Sequence, residues 1–539
     1  MVVPELRAWR AARPRVARVA RAVKPRIARV ARTVKPRARR ITGAARPRVT
    51  RITRVVTPRS GGLTTPQVTA IAVTLGLALA VWTATAAGPW DSSGQRTAER
   101  DRAAAWDREG GTDHGRRTGR AADAPVAAPS AAPVLAGVGA ATTKSAPLGQ
   151  PLNVVLDRLL GDDSLGPRRT AAVVDVATGR HLYDKGADQA LTPASTTKIA
   201  TAVAVLSAAG TDHRLTTRTV LEPGTDKVVL VGGGDPTLTA RRKTDGWAGL
   251  RTLADRTAAA LKKRQLASVS LSYDTSLFAG EALHPIGVNP NLARPPLMAD
   301  EGRTDGSTSG PAPRSADPAA DAARTFGDLL HERGIRTSAP GASGAKASAR
   351  AQTLASVQSP PLSAVVERML TNSDNDIAEA LARQTAVATG GQPSFAGGAA
   401  AVADRLRKLG LPLGGAQFHD GSGLDREDKL TAGLLTSLLA SAGSPAHPEL
   451  RPVLTGLPVA GFTGTLSDRY EEAAERSGIG VVRAKTGTLT GVNTLAGTVV
   501  DADGRLLAFA FLTDGSMDQT SARAALDRTA AALAGCGCS

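Results

Sequence analysis

The chain has 539 residues, 42% hydrophobic and 3% aromatic, with two cysteines and a formal net charge of +19. Its length leaves room for two or three domains, and two cysteines exclude a disulfide-built scaffold or a cysteine-rich zinc protein. Residues 1–60 hold 19 Lys/Arg and one acidic residue, Glu5, so the rest of the chain carries only +1. A protein basic throughout is therefore excluded.

The cationic tail is repetitive: Pro14, Pro25, Pro36, Pro47 and Pro58 recur every eleven residues. Eleven residues are close to three helical turns, which returns Arg and Val/Ile to the same faces. Proline fits only a helix's first turn, so the tail reads as short kinked amphipathic segments, disordered in water. Anionic lipid is its candidate partner, each basic residue adding about 1 kcal/mol. Nucleic acid is the weaker candidate and not the expected partner. Residues 68–87 then form an uncharged apolar run, VTAIAVTLGLALAVWTATAA. At about 1.5 Å per residue such a run crosses about 30 Å of hydrocarbon. The preceding basic block orients it with the N-terminus cytoplasmic and the remainder outside, an uncleaved signal-anchor in the cell membrane. Residues 88–150, rich in Ala, Gly, Pro, Asp and Arg, read as a flexible spacer.

Order begins near residue 151. Arg169–Ala177 alternates as a strand, Thr178–Arg180 turns, and His181–Lys185 returns. Leu191-Thr192-Pro193-Ala194 leads into a buried helix beginning near Ser195. Val481–Thr486, Asn493–Val500 and Arg505–Thr513 read as successive strands, and a helix over Gln519–Ala534 follows. Strands and helices from both ends predict an α+β fold, an antiparallel sheet with helices packed on it. Cys536 and Cys538, in Cys-Gly-Cys, are expected to dangle, disulfide-bonded or free; with no His nearby, no metal site is expected there.

Three short motifs stand in this frame. In Ser195-x-x-Lys198 the helical spacing puts the amine within reach of the hydroxyl, at a helix start whose N–H groups can hold an oxyanion. The bland alternative is an N-cap serine, and Ser343-x-x-Lys346 in a Gly/Ala-rich loop shows how common the pattern is. Ser373-Asp374-Asn375 offers a hydroxyl and an amide from a turn before a helix, or again a simple cap. Lys485-Thr486-Gly487-Thr488, on an edge strand, offers a cation and hydroxyls to an anion, with Gly487 leaving room for another backbone. Each motif alone is weak, but the three in this order form the set of penicillin-binding proteins and serine β-lactamases.

Over about residues 151–535 the chain resembles class C low-molecular-mass penicillin-binding proteins, the D-alanyl-D-alanine carboxypeptidase/endopeptidases. Gly232–Leu238 (GGGDPTL), Asp420–Leu424 (DGSGL) and Gly461–Leu466 (GFTGTL) are similar to that family's further signatures. The resemblance implies a penicillin-binding/serine β-lactamase-like sheet with helices on both sides. It also implies a domain inserted at about 212–350, since 175 positions separate Lys198 from Ser373. It implies a serine D-Ala-D-Ala carboxypeptidase acting on peptidoglycan stem peptides, inhibited by β-lactams, with no metal and no diffusible cofactor. Ser195 is the expected nucleophile, Lys198 its base (kept neutral by burial and by Lys485), and Ser373 the proton relay. Asn375 would hold the substrate amide, and Lys485, Thr486, Gly487 and Thr488 would receive its carboxylate. Backbone N–H groups of Ser195 and Thr488 would form the oxyanion hole. Asp374 is expected to organise its turn, and Gly232–Leu238 and His419–Leu424 to be structural turns. A β-lactamase, or a non-catalytic muropeptide or β-lactam sensor with a polyanion-binding tail, is the alternative reading.

Overall fold

The computed structural model describes residues 151–280, 284, 295–338 and 346–536. The basic tail, the apolar run at 68–87, the spacer, Ser343 and Cys538 lie outside the described residues. Among the described residues no helix is long and apolar enough to cross a membrane.

The central sheet is made from both ends of this region. Strands β1 (Arg168–Asp175) and β2 (His181–Lys185) come from the start. Strands β8 (Val482–Leu489), β9 (Val492–Val500) and β10 (Leu506–Asp514) come from the end. They order as β2-β1-β10-β9-β8, every pair antiparallel. Eight of the nine β9 residues are buried, which is what a strand covered on both faces requires. On one face Ala171, Val173, Leu495, Phe509 and Phe511 pack against α1 (Leu152–Leu159) and the last helix, α10 (Gln519–Ala534). On the other face Ala172, Ala496, Ala510 and Leu512 meet a helical layer. That layer contains α2 (Thr197–Ala209), α5 (Leu362–Asn372), α6 (Asn375–Thr389), α7 (Phe395–Lys408), α8 (Ala432–Gly443) and α9 (Arg451–Thr455). Helix α2 is apolar nearly all round, with residues 197–206 all buried, so it runs through the middle of the layer. This is the sheet with helices on both sides that the sequence predicts.

A second sheet occupies the stretch between the first two motifs. It orders as β6-β5-β4-β3-β7, from β3 (Thr216–Leu221), β4 (Lys227–Val231), β5 (Ser268–Asp274), β6 (Arg336–Thr337) and β7 (Gln352–Gln358). β4, β5 and β6 run parallel because helices α3 (Leu250–Lys263) and α4 (Pro318–Glu332) make the crossovers between them. These helices bury one face, with Leu253, Leu261, Leu271, Tyr273, Phe326 and Leu330 in its core. The chain leaves this sheet through β7 directly into α5, so the second sheet extends past residue 350.

Cys536 does not dangle. It is 2% exposed just beyond α10 and disulfide-bonded, and its carbonyl accepts from the Ala502 N–H at 3.2 Å.

Candidate active site

Ser195 stands in a 3-10 turn, Ala194–Thr196, ahead of α2, so the α-helix itself starts two residues later than the serine. From Leu191 to Ala200 every residue is buried except Ser195, which is half-buried. Its hydroxyl is not used as a helix cap: it accepts a hydrogen bond from Lys198 Nζ at 2.9 Å. Lys198, 0% exposed, also donates to Asn375 Oδ1 at 2.6 Å and to the Ser422 carbonyl at 2.8 Å. The turn is held tightly. Ala194 has φ +48, an uncommon value for a residue with a side chain, of the kind that concentrates at functional sites. Thr494 Oγ1, from β9, donates to the Pro193 carbonyl at 2.8 Å. Gly423 (φ +80) admits the turn from the other side, since a Cβ there would lie 1.9 Å from the Ala194 carbonyl oxygen.

The second motif joins α5 to α6. Ser373 closes α5 in the left-handed conformation, φ 56 and ψ 39, and Asp374 caps α6 by accepting from the Ile377 N–H at 3.0 Å. Asp374 therefore organises the turn. Burial alternates along it: Ser373 and Asn375 are half-buried, Asp374 and Asp376 buried. Ser373 and Asn375 line a cavity of about 320 Å³ together with Thr465, Arg303, Arg314 and Pro311.

The third motif lies on β8, the edge of the central sheet, alongside the Ala194–Thr196 turn. A Cβ on Gly487 would come within 2.0 Å of Thr494 Oγ1 and 2.6 Å of the Pro193 carbonyl, so only glycine allows this approach. Lys485 is fully buried and donates to the Thr486 carbonyl at 2.7 Å. Burial, then the charges of Lys198 and Arg469, push its amine well below the usual lysine range. Thr486 Oγ1 donates to Thr465 Oγ1 at 2.8 Å, and Thr488 Oγ1 accepts from Arg523 at 3.4 Å. All three motifs thus converge through Pro193–Lys198.

Four contributors were not assigned to the site by sequence. The Ser422 carbonyl and Thr465 belong to segments noticed as signatures, and the segment of Ser422 was taken for a structural turn. Arg314 and Arg523 carry no local signal, because only folding brings them near. Ser422 is supported from behind: Asp420 accepts from the Ser422, Gly423 and Asp425 N–H groups at 3.0, 2.6 and 2.8 Å. Glu379 accepts from Gly421 N–H at 3.2 Å. His284, of the inserted stretch, lies 3.4 Å from Asp420 and 3.7 Å from Glu379. Burial lowers the pKa of His284, but hydrogen bonds to Asp420 and Glu379 and their charges outweigh it, raising it to about 9.

Among the described residues two groups bring three potential metal-ligating atoms within 4.8 Å of one another: His284 with Glu379 and Asp420, and Glu301 with Asp374 and Asp376. In the first the imidazole faces two carboxylates, whose influence raises its pKa to about 9. In the second the carboxylates are met by Arg303, Arg314 and Arg368.

The model of the D-Ala-D-Ala carboxypeptidase 3 (S13) family matches residues 152–291 and 303–533. Carboxypeptidase DacB of Mycolicibacterium smegmatis is 37% identical over 410 residues, 73% of this chain and 85% of that protein. A D-alanyl-D-alanine carboxypeptidase of Actinomadura sp. is 29% identical over 440 residues, covering 67% of this chain and 80% of that one. Among solved structures, penicillin binding protein 4 of Haemophilus influenzae superimposes with a TM-score of 0.57 at 22% identity, over 70% of this chain and 98% of that one. That likeness carries the fold, an α+β architecture with an antiparallel sheet. With the family model covering well over half of the chain, the protein belongs to the D-Ala-D-Ala carboxypeptidase 3 (S13) family, the low-molecular-mass penicillin-binding proteins.

Proposed function

We propose that this chain is a membrane-anchored serine D-alanyl-D-alanine carboxypeptidase/endopeptidase that cleaves peptidoglycan stem peptides through an acyl-serine and is inhibited by penicillin. The observation that carries the reading is the Lys198 amine, buried and 2.9 Å from the half-buried Ser195 hydroxyl. A serine hydroxyl needs a base to become a nucleophile, and an amine at this distance is placed to act as one. Ser195 Oγ attacks the carbonyl between the two terminal D-alanines as its proton passes to Lys198 in the neutral form, whose lone pair then faces Oγ in place of the N–H donated at rest. The Ser195 and Thr488 N–H groups receive the oxyanion, an arrangement in which each donor contributes about 2.7–4 kcal/mol. The C–N bond then breaks, and Ser373 relays the proton to the leaving amine. Water hydrolyses the ester, returning the enzyme. Asn375, joined to Lys198 at 2.6 Å, holds the substrate amide, while Lys485, Thr486 and Thr488 along β8 receive the terminal carboxylate. The incoming carboxylate supplies the counter-charge that the buried Lys485 amine otherwise lacks in its surroundings of Lys198 and Arg469.

Residues 68–87 serve in this reading as the anchor, with residues 88–150 spacing the domain from the membrane surface. Mass spectrometry of the protein incubated with benzylpenicillin tests the chemistry. The expected result is one covalent penicilloyl adduct on Ser195, absent in Ser195→Ala, and D-alanine release from a muropeptide. No adduct, or rapid hydrolysis of the adduct with no D-alanine release, overturns it.

A further inference from the structure

All four residues of the Ser373–Asp376 turn border the cavity, but Ser373 and Asn375 are half-buried while Asp374 and Asp376 are 6% and 1% exposed. The two aspartates meet Glu301, which is 3% exposed, with carboxylate atoms of all three within 4.8 Å of one another. Burial first, then the charges of Asp374 and Asp376, raise the Glu301 carboxyl to about 7, against the pull of Arg303. Left alone, three desolvated carboxylates would push the turn away from the inserted stretch.

Arginines from two elements prevent this. Arg303 donates to Glu301 at 2.7 Å, and Arg368, on α5, lies 3.4 Å from it. Arg314 spans the gap. One of its nitrogens bonds Asp376 Oδ2 at 2.7 Å, and the other bonds the Glu301 carbonyl at 2.8 Å and Glu301 Oε2 at 3.3 Å. Its side chain is 5% exposed. Arg303 and Arg314 also face each other as the two ends of a hairpin whose Gly310, Pro311 and Ala312 wall the same cavity. Asp300 and Glu301, at the foot of that hairpin, are held at φ 51 and 55, values that persist only where surrounding contacts enforce them.

We infer that Arg314 is a positioning residue for acyl transfer: its buried fork on Asp376 and Glu301 fixes the Ser373–Asn375 turn, and so the Asn375 amide that accepts from Lys198, against the inserted hairpin. This rests on the acyl-serine reading above. Arg314 touches no reacting atom in this role. A lysine in its place supplies the charge but not the two-directional fork.

Acylation of the full chain by a fluorescent penicillin, followed by stopped flow from pH 6 to pH 9, tests it alongside thermal unfolding. Arg314→Gln is expected to acylate at least tenfold more slowly than the wild type at pH 8. The loss should shrink as pH falls toward 6, where Glu301 takes up a proton, and should be partly relieved by adding Asp376→Asn. Arg333→Gln, which removes an inserted-stretch arginine pairing with Asp255 at 2.6 Å, serves as the control and should stay within twofold of the wild type. Should Arg314→Gln fail to fold, Arg314→Lys replaces it, with a threefold to tenfold loss expected at unchanged unfolding temperature. Wild-type acylation in the variant that folds overturns the proposal, as does a loss that is equal at every pH and untouched by Asp376→Asn. A wild type that forms no penicilloyl ester would instead overturn the acyl-serine reading, so the two failures are distinguishable.

Discussion

The two sheets of this molecule are both five-stranded, yet they are covered differently. The central sheet is buried on both faces, by Phe509 and Phe511 with α1 and α10 on one side and by the α2 layer on the other. The inserted sheet has a full core only under α3 and α4; its other face keeps a small cluster of Val220, Val229 and Val231 beside a cavity of about 700 Å³. Apolar burial is the main source of rigidity, so the sheet carrying Lys485–Thr488 is the stiff one. The inserted sheet is a platform that reaches the site through polar contacts, among them those of Arg314, His284 and Glu301.

The sharpest way to break this contrast is on the chemistry, where the largest effect should fall in the stiff half, above that of Arg314→Gln in the inserted hairpin. Lys198→Ala is expected to slow penicilloylation of Ser195 by about 10²–10⁴-fold, the range for loss of a general base. Near-normal acylation of that variant, measured by labelled penicillin, would remove the lysine from the mechanism. Next comes packing. Phe509→Ala should cost about 3–5 kcal/mol by denaturant unfolding, as for large aromatic deletions in a closed core. Val229→Ala, on the thinly covered face, should cost only about 1.6 kcal/mol, the transfer value of two methyl-sized groups. Equal losses would mean that the two sheets are equally well packed. Hydrogen exchange should sharpen the same point, with β9 and β10 amides protected far longer than those of β7.

A further effect is a pH dependence. The pKa of His284 is raised to about 9 from 6.5, so its ion pairs with Asp420 and Glu379 stabilise the fold fully below about pH 6.5. That contribution is lost as pH rises through about 9, because the folded state must then release a proton it binds more tightly than the unfolded chain does. His284→Gln should flatten the unfolding midpoint between pH 6.5 and 9 while leaving a midpoint below that of the wild type at pH 6. A wild-type slope that survives the substitution would place the titrating group elsewhere.

Much of the fold was legible locally. The strands at His181, Asn493 and Arg505 and the closing helix at Gln519–Ala534 follow from alternation, turn residues and periodicity, and they stand where the patterns put them, within a residue or so. The parallel pairing of β4 with β5 was not legible, since a short apolar run does not say which neighbour it meets. At the site, Ser195, Lys198, Ser373, Asn375 and Lys485 were visible because their chemistry is bound to short fixed spacings. Ser422 and Thr465 were visible only as members of glycine-containing signature segments, since one acts through a carbonyl oxygen that every residue has and the other through a common hydroxyl. Arg314 and His284 had no spacing to betray them.

The sequence by itself determined the chemistry on offer: an alcohol and an amine one helical turn apart, a hydroxyl and an amide flanking a capping aspartate, and a lysine-threonine-glycine strand. These are short-range facts, set by backbone geometry over three or four residues. The tertiary structure alone decided that they meet, and which groups stand behind them. Those decisions depend on long-range closure, 177 residues between Lys198 and Asn375 and 62 between Arg314 and Asp376, where burial of apolar surface rather than local preference selects the partner.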